Sequence, residues 1–218
     1  MNDTLTAANR RKLKEEQEKT LSTPVMKTNP LLKLLIITMD VLYGRKRTLP
    51  KFKIIEYLAG YPYRAWENWG YKKITRLFTK YTKKDKKMKA GELNRLIGLG
   101  RKSWDNEEHH LMIIDELLEQ KNMSMGVIRG TLLPRLMGRV YYMLELFMMK
   151  IAPSWSYAMN ARFESHAEHQ YMKIVSEHPE WENEEIDLHS FEYYPPQKTM
   201  ADLFRRIGLD EREHMIES

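Results

Sequence analysis

Seven apolar side chains, Ile128, Leu132, Leu136, Val140, Met143, Phe147 and Ile151, recur at intervals of four, four, four, three, four and four residues in "MGVIRGTLLPRLMGRVYYMLELFMMKIAP". A helical period gathers such a series onto one stripe, whereas a strand would scatter it over two faces. Residues 125–153 therefore read as one long helix, with Pro134 as a kink. Helical patterning also runs through 51–81, where Pro62 kinks or restarts it, and through 92–121, where Gly98 and Gly100 weaken its first half. Pro153 and Pro179 bracket another helix over 154–178, and Thr199 with Asp202 forms a capping box for a last one over 199–217. A shorter apolar helix occupies 29–44. No strand pattern competes, and the chain reads as all-α.

The segments between helices are polar. Residues 1–28 form a charged N-terminal arm, mobile or a frayed helix, ahead of one domain over 29–218. "TKKDKKMKAG" (82–91) reads as a basic, solvated connector, and 179–197 as a long loop. The start of the chain lacks the apolar core of a cleavable signal, and no stretch offers the ~18–20 uninterrupted apolar residues of a spanning helix. The net charge of +6 suits anionic lipid headgroups or nucleic acid equally well. With no cysteine in the chain, disulfides and thiolate chemistry are excluded, and any metal must be held by oxygen and nitrogen ligands.

Such ligands are available. "WDNEEHHLMIIDELL" holds Glu107 and His110, and "LDEREHMIES" holds Glu211 and His214. Residues three apart on a helix share a face, so each Glu-x-x-His pair can reach one metal ion. Chance alone would supply about 0.7 such pairs in a chain with these numbers of histidines and glutamates, so placement has to carry the argument. Each pair follows a short amide or acid, Asn106 or Asp210, four residues before the histidine and able to orient its ring. Ferritin-like di-iron bundles need two such helices and one glutamate from each of two more. Glu164 is the candidate on 154–178, and Glu56 or Glu67 on 51–81. Glu108 and His109 point away from this face, and His166 and His169 lie off the azimuth of Glu164.

The blocks "MDVLYGRKR", "IIEYLAGYPY", "DNEEHHLMIIDEL", "APSWSYAMNARFESHAEHQYMKI" and "MADLFRRIGLDEREH" resemble, in order, those of the alternative oxidase family, over roughly residues 39–214. Glu164-Ser165-His166-Ala167 followed by Tyr171 and Lys173 is the most specific block, and it resembles the plastid terminal oxidase branch. The resemblance implies a ferritin-like four-helix di-iron bundle with two additional apolar helices at a membrane interface, the bundle helices being 51–81, 92–121, 154–178 and 199–217. It implies the iron ligands Glu56, Glu107, His110, Glu164, Glu211 and His214, Glu56 being chosen because it stands six residues before Pro62-Tyr63. It also implies a tyrosine, Tyr171, beside the two irons. Three features depart from the family pattern: a long connector before Glu107, Gln170 in place of a threonine, and Gly208 in place of an arginine.

The expected activity is that of a quinol:oxygen oxidoreductase, oxidising plastoquinol or ubiquinol and reducing O2 to water without proton pumping. Lys51, five residues before Glu56, is a candidate contact for the quinol head. Helices 29–44 and 125–153, the latter with Arg129, Arg135 and Arg139 beside its stripe, suit an interfacial position in one leaflet, as a monotopic protein of a thylakoid or cytoplasmic membrane. A homodimer along the same helices is compatible with that position, and nucleic acid is not an expected partner. Two other readings compete. One is a soluble ferritin-like di-iron oxygenase or iron-handling protein; the other is a metal-free basic helical protein.

Overall fold

The computed structural model describes residues 3–80 and 83–218, with side chains for 9–79 and 86–218. Its α-helices are α1 (Asp3–Ser22), α2 (Pro30–Tyr43), α3 (Leu49–Lys80), α4 (Lys83–Gln120), α5 (Leu133–Ile151), α6 (Pro153–Glu177) and α7 (Met200–Glu217), with short 3-10 turns at Pro179–Glu182 and His189–Glu192. Among the described residues, the one strand-like contact is an isolated bridge between Glu185 and Thr199. The all-α class expected from the periodicity is the class observed, and it is consistent with a helical di-iron bundle.

Local chemistry accounts for the helix ends. Asn29 caps α2 by accepting the Leu32 N–H at 2.7 Å, with Pro30 in the first turn, where a missing N–H costs nothing. Thr199 caps α7 by accepting the Asp202 N–H through its hydroxyl oxygen. α3 runs unbroken through Pro62. The kink expected at Pro134 takes the form of a π-helical turn over Ile128–Leu132, in which Leu133 donates to the Ile128 carbonyl. Pro134 has no N–H to give to Gly130, and the wider turn absorbs that missing bond.

The chain divides into two compact units, Pro50–Ala158 and the remainder on either side of it. In the Pro50–Ala158 unit, α3 and α4 lie antiparallel, with Lys53 beside Asp115 at one end and Gly70 beside Ile97 toward the other. Small residues allow the close approach. A Cβ on Gly100 would lie 2.8 Å from the Tyr63 carbonyl oxygen, and one on Gly60 would lie 3.1 Å from the Trp104 ring. Gly100, which weakens the helix as a sequence, is a packing residue in the fold. Tyr63, Trp66 and Met149 form the buried centre, with Trp69, Trp104 and Tyr157 packed against it. α5 turns Tyr141, Glu145, Met148 and Met149 inward. Its opposite stripe, from Ile128 to Ile151, is 55–65% exposed at every one of the seven positions.

In the other unit, α1 is a packed helix, contrary to the expectation of a mobile or frayed arm. Leu13, Gln17 and Thr20 are buried. Gln17 donates to the Met172 carbonyl at 2.8 Å and accepts from Arg205 at 2.7 Å, while Thr20 donates to Glu168 at 2.7 Å. Arg10 pairs with Asp202 at 2.8 Å, and Arg212 reaches Glu16. The Arg212 guanidinium holds the Glu16 carboxyl below the usual carboxylate range. The connector reading of 82–91 also changes, since α4 is already helical from Lys83.

Candidate metal centre

Each unit carries a buried cluster of two carboxylates and one imidazole. In the Pro50–Ala158 unit, α3 supplies Glu56 and α4 supplies Glu107 and His110, each no more than 2% exposed. His110 Nδ1 lies 3.2 Å from Glu56 Oε2 and 3.8 Å from Glu107 Oε2. In the other unit, α6 supplies Glu164 and α7 supplies Glu211 and His214, with His214 Nδ1 at 3.6 Å from Glu211 Oε2. Within each triad, one ligand atom from each side chain lies within 4.8 Å of the others, close enough to share an ion.

The donor chemistry fits iron. Each unit presents one glutamate from one helix and a Glu-x-x-His pair from a second, which is half of the donor set of a ferritin-like di-iron centre. Carboxylate and imidazole are ligands that iron accepts, and buried carboxylates are costly unless positive charge or hydrogen bonds compensate them. Four carboxylates balance the charge of two ferrous ions.

Glu67, eleven residues after Glu56, is bonded to Arg101 at 3.1 Å near the rim of the helix pair. His169 has its ring nitrogens 2.8 Å from the Ser165 carbonyl oxygen and 3.0 Å from that of Thr23, so backbone groups occupy it. His166, Asn106 and Lys51 are half-buried, His109 is half-buried and Glu108 is exposed. Asp210 is buried, and its carboxylate accepts from the Tyr194 hydroxyl and the Arg206 guanidinium, both at 2.5 Å. Tyr171 is fully buried, with its ring centroid 5.5 Å from that of Phe204, which in turn packs on Trp181.

The sequence reading missed Tyr194 and Arg206 as partners of Asp210, and it missed Glu145. Glu145 is buried on α5, where Ser156 donates to it while accepting from Trp66 Nε1 at 2.7 Å. Burial pushes its carboxyl up to about 7, against the opposing pull of hydrogen bonds from Ser156 and Tyr141. The available signal was an acid in the otherwise apolar inward row of α5.

The raised value has a consequence for stability. The folded chain keeps this carboxyl protonated up to about pH 7, while the unfolded chain ionises it near 4.5. Stability from this group is therefore complete below pH 4.5 and is lost as pH rises through 7. Glu145→Gln is expected to flatten the decline in stability between pH 5 and pH 8 by about 3 kcal/mol. Urea unfolding of both chains across that range checks it; parallel pH profiles would refute it.

A search of the curated proteins and of the solved structures finds no significant match. A family model described as "Alternative oxidase" matches residues 7–217, which takes in most of α1 as well as both triads. That coverage extends beyond the 39–214 span of the recognisable blocks, and the chain belongs to the alternative oxidase family, whose activity is that of a di-iron quinol:oxygen oxidoreductase.

Proposed function

We propose that this chain is a plastid-type terminal oxidase that oxidises plastoquinol or ubiquinol and reduces O2 to water without pumping protons. The observation that carries the reading is the matched pair of buried triads, one Glu with one Glu-x-x-His in each unit. Glu56, Glu107, His110, Glu164, Glu211 and His214 would hold two irons. When bound, those irons supply the redox couple that passes electrons from quinol to O2. The glutamates would offset the charge of the metal and accept protons released from quinol, and the buried Tyr171 would pass its phenolic proton and one electron toward O2, to be restored by a hydrogen atom from quinol. Asp210, held by Tyr194 and Arg206, fixes the stretch of α7 that presents Glu211 and His214, and Asn106 does the same for Glu107 and His110 on α4. Lys51 contacts the quinol head.

The substrate is lipid-soluble, and the chain has surfaces suited to lipid. The α5 stripe is exposed along its whole length with Arg129, Arg135 and Arg139 exposed beside it, and α2 exposes Leu34, Ile37 and Val41. No described helix is long and apolar enough to cross a bilayer. These helices lie in one leaflet of a thylakoid or cytoplasmic membrane, with arginines at headgroup level, and a second copy of the chain can pack along them.

Oxygen uptake by the detergent-solubilised chain with a short-chain quinol, with iron counted on the same sample, tests the proposal. Two irons per chain with quinol-dependent uptake is the expected result. Iron without quinol turnover would move the assignment to a soluble-type di-iron oxygenase, and no iron after anaerobic loading would end the metal reading.

A further inference from the structure

The stretch from the end of α3 to the start of α4 has a composition unlike the rest of the chain. Residues 72–95 hold ten Lys or Arg and two acidic residues, a net of +8. The remaining residues hold 26 basic and 28 acidic side chains, a net of −2. The basic character of the whole protein thus resides in residues 72–95. The helices pair antiparallel as far as Gly70 and Ile97, where a Cβ on the glycine would lie 2.7 Å from the isoleucine side chain. Beyond that point Leu77 is buried, while Lys72, Lys73, Arg76, Lys87 and Lys89 are exposed. Two large apolar side chains stand out among them, Phe78 at 60% and Met88 at 66% exposure, and the Lys86 ammonium lies 5.8 Å over the Phe78 ring.

We infer that the basic ends of α3 (72–79) and α4 (86–95) form a docking surface for anionic lipid headgroups. Clustered lysines and arginines are drawn to a negatively charged bilayer surface over about a Debye length, and Phe and Met inserted at headgroup depth add an apolar contact that salt does not screen. A solvated polyelectrolyte such as nucleic acid would use the same charges but gains little from an exposed Met. The choice of lipid over other anions rests on the membrane reading of α5 given above. This surface is distinct from the α5 stripe: it recognises headgroup charge, where the stripe needs only an apolar interface.

The test is co-sedimentation of the full chain with vesicles of phosphatidylcholine alone and with about one third phosphatidylglycerol, at low and high salt. The expected result is a large gain in binding on adding the anionic lipid, suppressed at high salt. In a Lys72→Gln, Lys73→Gln, Lys86→Gln, Lys87→Gln chain that gain should fall by roughly fivefold per charge removed, several hundredfold in all. Phe78→Ser should lower binding to anionic vesicles about tenfold at either salt concentration. Far-ultraviolet circular dichroism and quinol oxidase activity in detergent should be unchanged in both chains. Anionic binding retained in the fourfold variant would overturn the inference. So would a duplex oligonucleotide that binds the wild-type chain more tightly than the anionic vesicles do. Binding to neutral vesicles and oxygen uptake report separately on the membrane and oxidase readings, so their failure with the anionic gain intact would leave this surface standing.

Discussion

Glu107→Ala is expected to leave the chain folded but unable to hold two irons, and to lower quinol-dependent oxygen uptake a thousandfold or more. Removing a group that merely orients a ligand costs roughly 10–100-fold in metal affinity or activity, and removing a ligand costs more. Glu107 is 1% exposed and its carboxylate lies 3.8 Å from His110, so alanine leaves the imidazole with Glu56 alone in that unit. The loaded wild type should gain stability from iron that the variant cannot gain. Glu67→Ala is the control. Its carboxylate pairs with the exposed Arg101 guanidinium, a contact that contributes little to stability, and both irons and turnover should survive. Two irons retained in Glu107→Ala, or lost in Glu67→Ala, would reverse the ligand assignment.

The contrast between Glu56 and Glu67 shows where the sequence stopped being informative. Eleven residues is close to three helical turns, so both glutamates fall on nearly the same face of α3, and periodicity cannot separate them. The antiparallel register of α4 separates them, setting His110 beside Glu56 and Arg101 beside Glu67. The i, i+3 pairs were legible because both members lie on one helix and need no tertiary information. The α5 stripe was legible for the same reason, as were the Asn29 and Thr199 caps. The N-terminal helix was not. Its buried face is mostly polar, and Gln17, Thr20, Glu16 and Arg10 find their partners on α6 and α7 about 150–200 residues away. A pattern of charged residues with one buried leucine reads as solvated until those partners are known. Glu145 escaped for a related reason: its hydroxyl partners, Ser156 and Tyr141, are ordinary residues whose convergence only the packing of α5 creates.

Tyr171→Phe should separate the role of that side chain from the structural one it also has. The ring is fully buried against Phe204, and α7 approaches it so closely that a Cβ on Gly208 would lie 3.2 Å from the Tyr171 Cβ and 2.9 Å from the end of Met172. The missing side chain of Gly208 is what lets α7 close on this part of α6. Phenylalanine keeps the ring and its volume, so packing should survive at a cost below about 1.5 kcal/mol. Iron should remain at two per chain, since Tyr171 is two turns beyond Glu164 and outside the ligand set. Turnover should fall by about 10²-fold or more, the range expected when a positioned proton donor is removed. The decisive comparison is oxygen uptake per bound iron in the two chains, with unfolding midpoints measured alongside. Equal turnover per iron would mean that Tyr171 is a core tyrosine and that the protons and electrons of O2 reduction come through the carboxylates and quinol alone. A loss of turnover with iron and stability intact would assign the phenolic hydroxyl to the chemistry, because that one oxygen is all the substitution removes.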